Sequence, residues 1–286
     1  MTPEANLFAD LQLPRGLTLD TADPVLHSET NSVYFCRGRL MQSDLECYLK
    51  LADRSTQSLE NERTILEHIG TSVIPVPKVI AFGGSPKPYL VLSRLPGTML
   101  WDLIDPRRSE FRKDRVLRDL QLYGATLARI HTLDVDWSDQ RRANLEGPIG
   151  PEEGRDTRSR KLMDWLSANR PPRIRQSFVH GDYNTANVLI DGSVVGGVID
   201  WEFAGLGWKE YEIAWALRAR IHFMNSRAER DAVLSGYQSC GSFDAEQLRW
   251  CEVLNYLHFA HWTRESNLGY SGFALARAAS AAGESN

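Results

Sequence analysis

Two carboxylates and one amide stand at the ends of short apolar runs: Asp182 in His180-Gly181-Asp182, then Asn187, then Asp200 in Asp200-Trp201-Glu202. These are the residue types of a phosphoryl-transfer centre. One acid orients a hydroxyl nucleophile, while an amide and a second acid hold magnesium on nucleotide phosphates. Magnesium takes hard oxygen ligands and keeps several waters and phosphate oxygens, so one amide and one carboxylate suffice from the protein. Alone, Gly181-Asp182 reads as a turn aspartate bonded to nearby backbone amides. Its neighbours change that reading. Asn187 opens the run Val188-Leu189-Ile190, and Asp200 closes Val194-Val195-Gly196-Gly197-Val198-Ile199. If these runs pair through the Asp191-Gly192 turn, Asn187 and Asp200 reach the same end of a β-hairpin.

A nucleotide half belongs to the first part of the chain. Lys50 is the only lysine in the strand candidate Glu46 to Ala52, and alternation with Leu49 and Leu51 points it away from both. A strand lysine facing a cleft neutralises the α and β phosphates, and a helix glutamate holds it in place. The helix candidate Ser58 to Ile69 offers Glu60 and Glu62, and the helix register leaves the choice between them open.

The segment Phe178 to Glu202 resembles the catalytic core of the aminoglycoside phosphotransferase family, small-molecule relatives of the protein kinases. The resemblance covers roughly residues 30–266 and is strongest from Val179 to Trp215. It implies a bilobal, protein-kinase-like α+β fold: a β-rich nucleotide lobe over 1–96 and a mainly helical lobe over 97–286. It gives Asp182 the acceptor-orienting role, Asn187 and Asp200 the metal, Lys50 the phosphates and Glu62 the lysine. His180 is implied as a brace of the loop. Glu202 bears either on metal and substrate or on the strand end alone. Ser28 to Ser32 takes the place of the phosphate-covering loop, with Ser32 as a contact. It holds no glycine and so departs from the Gly-x-Gly-x-x-Gly pattern of protein kinases. Leu92-Ser93-Arg94-Leu95 is implied as the hinge, with Ser93 and Leu95 beside the purine. The cofactors are then Mg2+ and ATP or GTP, and the reaction is direct transfer of the γ-phosphoryl group to an alcohol. Trp201, where protein kinases carry the phenylalanine of Asp-Phe-Gly, turns the expectation towards small molecules.

The bulk numbers agree with a folded enzyme of this size. With 286 residues, 42% hydrophobic and 24% charged, the chain has room for one large domain or two lobes about a cleft. A formal charge of −4 argues against nucleic acid as the main partner, which needs a basic face. No apolar stretch reaches membrane-spanning length, and Met1 to Leu13 carries acids rather than a secretion signal. Cys36, Cys47, Cys240 and Cys251 fall in no metal-ligand spacing and read as reduced thiols, so a cytoplasmic protein is expected.

Around these residues the elements follow from periodicity. Strands are expected at Pro24 to His27, Ser32 to Arg39, Glu46 to Ala52, Lys78 to Phe82 and Tyr89 to Leu95, with Pro96-Gly97 as the boundary between lobes. Helices are expected at Arg115 to Thr132, Ser159 to Ala168, Tyr211 to Met224, Ser226 to Gly236 and Asp244 to Ser266. Asp134 to Pro172 reads as a mobile surface insertion around that second helix, and the tail after Ser271 as a fraying one.

The acceptor is the open question. An enzyme for polycationic aminoglycosides is expected to line its acceptor cleft with acids. From Gly205 onwards, acids such as Glu210, Glu212 and Glu252 are nearly matched by bases such as Arg218, Arg230 and Arg249. Trp208, Trp215, Phe223, Trp250, Tyr256, Phe259 and Trp262 crowd the same region and read first as helix core. A macrolide, a sugar, an amino alcohol or another metabolite fits as well as an aminoglycoside, so both resistance and metabolism stay open. A silent nucleotide-binding pseudokinase is the main alternative, and the intact Lys50, Asp182, Asn187 and Asp200 set argues against it. A metal-dependent hydrolase leaves Lys50 unexplained. A protein kinase lacks its Ala-Pro-Glu segment.

Overall fold

Apolar residues at alternate positions make the first part of the chain a sheet. The computed structural model describes residues 7–8, 10–27, 31–52, 57–70, 74–84, 87–134, 156–173, 175–218, 223–263 and 268–283. Within them β1 (Leu17–His27), β2 (Asn31–Leu40), β3 (Ser43–Ala52), β4 (Val79–Gly83) and β5 (Tyr89–Ser93) form an antiparallel sheet ordered β1-β2-β3-β5-β4. Cys47, Leu49 and Leu51 of β3 enter one small core with Cys36, Ala22 and Val91. The intervening Tyr48 and Lys50 face the other way, as the period of two requires, and line a cleft. Helix α1 (Gln57–Ile69) buries Leu59, Ile65, Leu66 and Ile69 in a second, larger core.

The second part is mainly helical. A two-residue strand β6 (Thr98–Met99) leads into the short α2 (Leu100–Ile104), then α3 (Val116–His131) and α4 (Thr157–Ala168). The strands β7 (Gln176–Val179), β8 (Val188–Asp191), β9 (Val194–Val198) and β10 (Gly205–Trp208) follow. They pair as two small sheets, β6-β8-β9 and β7-β10. Helices α5 (Lys209–Ala216), α6 (Arg227–Gln238), α7 (Ala245–Trp262) and α8 (Leu268–Ala282) complete the chain. Helix α3 packs on α6, while α7 lies between α4, α5 and α8. Leu120, Tyr123, Leu127 and Ile130 of α3 are fully buried. Each side chain of that size contributes about 1.5–3 kcal/mol over leaving it in water. Helix α7 buries residues all round, as a central core helix does.

Several expected boundaries move, for physical reasons. β1 starts at Leu17 rather than Pro24, because Leu17, Leu19 and Ala22 are buried while Thr18, Asp20 and Thr21 face solvent on an edge strand. The stretch expected as a surface insertion is in part core: Asp156 caps α4, whose Leu162 and Leu166 are buried, and Trp250 Nε1 donates to Leu166 O at 2.8 Å. α5 ends at Ala216 rather than Met224, and Met224 takes a left-handed φ of 58°. α8 does not simply fray, since Ala274, Ala278, Ala279 and Ala282 form a small-residue stripe in the main core, α8 packing against α7. The expected phosphate-covering turn at 28–30 and the middle of the expected insertion, 135–155, lie outside the described residues.

Candidate active site

Lys50 is the hinge of the electrostatics. Its Nζ donates to Glu62 Oε2 and to Asp200 Oδ1, both at 2.6 Å. Burial alone would push the ammonium down, but the two carboxylates outweigh it and hold Lys50 well above the ordinary lysine range. Burial pushes the Glu62 carboxyl up, to about 7, against the pull of Lys50. Asp200 is also penalised by burial, yet Lys50 keeps it below the usual carboxylate range. The helix register that the sequence left open is decided here. Glu62 lies on the buried stripe Leu59, Glu62, Ile65, Leu66, Ile69, whereas Glu60 lies off it.

The β8–β9 hairpin forms through the turn after Asp191, with Val188 opposite Val198. Ile199 N then donates to Asn187 O at 2.9 Å, so Asn187 and Asp200 come to the same end of the ribbon. Asp200 has φ +68°, a left-handed conformation that aspartate tolerates better than most residues. Asn187 turns its amide nitrogen to Asp182, donating to the carbonyl at 2.9 Å and to Oδ2 at 3.1 Å. Its own amide oxygen is thereby the atom available to a cation.

The loop carrying Asp182 is fixed from several sides. Gly181 has φ +87°, and a Cβ there would lie 2.2 Å from Phe203 O, so no other residue fits. His180 Nε2 lies 3.0 Å from Ile199 O, and its Nδ1 accepts from Asp182 N at 3.3 Å. That pattern assigns the proton to Nε2 and makes His180 a brace between the loop and Ile199, the residue before Asp200. Glu212, fully buried on α5, accepts from His180 N at 3.0 Å and Gly181 N at 2.6 Å. Trp215 Nε1 donates to Asp182 Oδ1 at 3.0 Å. Burial raises the Asp182 carboxyl above its ordinary value.

A cleft of about 240 Å³ runs past Lys50, Asn187 and Asp200, and Asp182 adjoins it through its bond to Asn187 without lining it. Lys50, Glu62, Asn187, Asp200 and Glu202 stand at its polar side, and Val33, Tyr48, Leu92, Leu95 and Leu189 at its apolar side. Ser93 and Leu95 line it, as the sequence leads one to expect; Ser32 does not. Asn31 and Val33 on either side of Ser32 do, because alternation along β2 turns Ser32 to the other face. Asn31 also donates to Glu202 Oε2 at 2.6 Å, tying β2 to the residues after Asp200.

Sequence reasoning missed Glu212, Trp215, Tyr48 and the Asn31–Glu202 bond as parts of this site. Tyr48 was accessible, since it shares a strand face with Lys50 two positions away. The others depend on contacts between residues 31–171 positions apart, which no local pattern encodes.

Residues 21–251 match the phosphotransferase enzyme family. A probable acyl-CoA dehydrogenase of Arabidopsis thaliana is 24% identical over 262 residues, which are 79% of this chain and 31% of that protein. An aminoglycoside 3'-phosphotransferase of Niallia circulans is 28% identical over 167 residues, 52% of this chain and 60% of that one. The chain thus spans under a third of the first relative's length and less than two thirds of the second's. A thermostable mutant of aminoglycoside phosphotransferase APH(4)-Ia, solved as a ternary complex with AMP-PNP and hygromycin B, superposes with a TM-score of 0.69. It is 18% identical and covers 99% of both chains, so the bilobal kinase-like fold is shared. With the match running over most of its length, the chain belongs to the phosphotransferase enzyme family.

Proposed function

We propose that this protein transfers the γ-phosphoryl group of a magnesium-bound nucleoside triphosphate, ATP or GTP, to a hydroxyl of a small molecule. The observation that carries the reading is the convergence of Lys50, Asp200 and Asn187 on one end of a single cleft, with Asp182 joined to that end through its hydrogen bond from Asn187. Residues 1–96 act as the nucleotide lobe and 97–286 as the catalytic and acceptor lobe. The apolar wall with Tyr48, Leu92, Ser93 and Leu95 receives the base, and Lys50 meets the phosphates while Glu62 keeps it extended. Asp182 takes a hydrogen bond from the acceptor hydroxyl and aligns it for attack, with the proton passing to the carboxylate as the bond to phosphorus forms.

The donor set fits magnesium. Asn187 commits its nitrogen to Asp182 and so offers an amide oxygen, and Asp200 is kept ionised by Lys50 while one carboxylate oxygen stays outside that ion pair. Two hard oxygens beside a phosphate site suit an ion that keeps most of its water. Magnesium, when bound, neutralises phosphate charge during transfer.

For the acceptor, the near balance of acids and bases from Gly205 onwards favours a neutral or mixed-charge alcohol over a polycation. A cytoplasmic setting is supported by the four free thiols, three of them buried. No described helix is long and apolar enough to cross a membrane.

Thermal denaturation with ATP or GTP, with and without magnesium, tests the nucleotide half; stabilisation that needs magnesium is expected. A transfer screen over aminoglycosides, macrolides, sugars and amino alcohols tests the rest. No stabilisation by either nucleotide, together with no transfer, overturns the reading.

A further inference from the structure

We propose that Trp215 is a positioning residue for Asp182, holding the acceptor-orienting carboxylate from the helix that also holds its loop. This deepens the phosphotransferase reading and rests on it for its catalytic consequence. The contact itself is independent of that reading.

Asp182 receives Trp215 Nε1 on Oδ1 at 3.0 Å and Asn187 Nδ2 on Oδ2 at 3.1 Å, with Asn184 a further side-chain donor from the same loop. Two donors on opposite oxygens fix the carboxylate's rotation, which a single one would leave loose. The two differ in kind. Asn187 also belongs to the metal side, so its orientation answers to the cation, whereas Trp215 answers to the helical lobe alone. An indole N–H is a donor only, so Trp215 cannot take the acceptor's proton and can act only by holding Asp182.

The indole is itself held. Residues 212, 215 and 218 follow at intervals of three, which places Glu212 and Trp215 on one face of α5 and Arg218 just past its end. Glu212 grips the backbone of the loop at His180 and Gly181. Trp215 grips the side chain of the same loop. The Arg218 guanidinium lies 3.9 Å from the Trp215 ring centroid and 4.0 Å from that of Phe259, so a buried cation clamps the indole towards α7. Loop backbone, reacting side chain and helix core are thus joined through one stripe. A shift of α5 would move the loop and its carboxylate together.

The experiment compares wild type with Trp215→Phe in magnesium-ATP binding by calorimetry and in transfer to an acceptor found by screening. The expected result is a fall in kcat of roughly 10–100-fold, as small misplacement of a reacting group produces. The KM for nucleotide should change less than about twofold. A purely structural tryptophan would lower thermal stability and leave the kcat of the folded enzyme unchanged. The indole N–H resonance of Trp215 in 15N-labelled wild type supplies a measurement that needs neither the variant nor turnover. It should move in Asp182→Asn. A resonance unchanged in that variant, or a Trp215→Phe enzyme with unchanged kcat, overturns the proposal. A wild type that binds no magnesium-ATP while its indole still reports Asp182 sinks the phosphotransferase reading and leaves the contact standing.

Discussion

Lys50 Nζ and Asp200 Oδ1 lie 2.6 Å apart across 150 residues of sequence, joining β3 to the end of the β8–β9 hairpin. The same ammonium also holds Glu62, whose side chain is 0% exposed. One cation therefore compensates two acids that would otherwise carry charge into a low-dielectric cleft.

Lys50→Met should accordingly fail in two separable ways. Removing the cation leaves Glu62 buried without its counter-charge, a change that costs about 3–5 kcal/mol in comparable pairs. It also removes the charge proposed for the phosphates. Adding Glu62→Gln neutralises the orphaned acid, so the double variant should regain most of the stability in urea denaturation while its turnover stays lost. Recovery of activity with stability would mean that Lys50 is a structural residue and not a phosphate ligand.

The pH dependence of turnover should carry the mark of Asp182. Burial raises its carboxyl above the ordinary aspartate value, and it is the ionised form that accepts from a hydroxyl. Activity should be complete above the raised value and fall as the pH drops through it. The acid limb of kcat is thus expected above the ordinary aspartate value of about 3.9. An acid limb at or below that value, in an enzyme that transfers phosphate, would remove Asp182 from the limiting ionisation.

Glu212→Gln is a sharper change than its size implies. Both oxygens of Glu212 accept: Oε1 from Gly181 N at 2.6 Å, Oε2 from His180 N at 3.0 Å, with His131 Nε2 at 2.9 Å from Oε2. An amide turns one of these acceptors into a donor that faces another N–H. The loss should be about 1–3 kcal/mol of stability, the cost of leaving a buried donor without its acceptor. Turnover should fall with it, because the loop that carries Asp182 is released, while nucleotide affinity stays near wild type. A variant of unchanged stability and kcat would show that the loop is held without Glu212.

What the sequence disclosed, and what it withheld, follows from the range of the interactions. His180, Asp182, Asn187 and Asp200 lie within one hairpin and the loop before it, where turn chemistry and strand period are local rules; Lys50 was readable for the same reason. The choice of Glu62 over Glu60 was also present, in the apolar stripe that includes position 62, but it needed the stripe to be followed through an acid. Ser32 lies one strand position from Asn31 and Val33, which line the cleft, and a period of two turns it to the other face. Trp215 reads as core in sequence because nothing local distinguishes a buried indole from one that donates to a carboxylate 33 positions earlier. The helix α4 was legible from its periodicity, but the Pro- and Gly-rich stretch before it made it read as part of a surface insertion and hid the Asp156 cap and the two-leucine face that join it to the core.

Two glycines give a test of the helical packing with opposite signs. On α3, a Cβ at Gly124 would sit 2.0 Å from Val233 O, and Gly236 of α6 faces Gln121 O at the same 2.0 Å. The two helices therefore touch backbone to backbone, and a single methyl group must push them apart. Gly124→Ala should cost about 1–3 kcal/mol, as overpacking does in tight cores. Gly272 on α8 is exposed, and a Cβ there meets nothing within 4 Å. In that helix interior the substitution Gly272→Ala only removes backbone freedom from the unfolded chain, so it should stabilise by about 0.5–1 kcal/mol. Urea midpoints for the two variants should move in opposite directions from wild type. If Gly124→Ala were neutral, α3 and α6 would have to be looser than this contact allows. If Gly272→Ala were destabilising, α8 would have to be covered at that position.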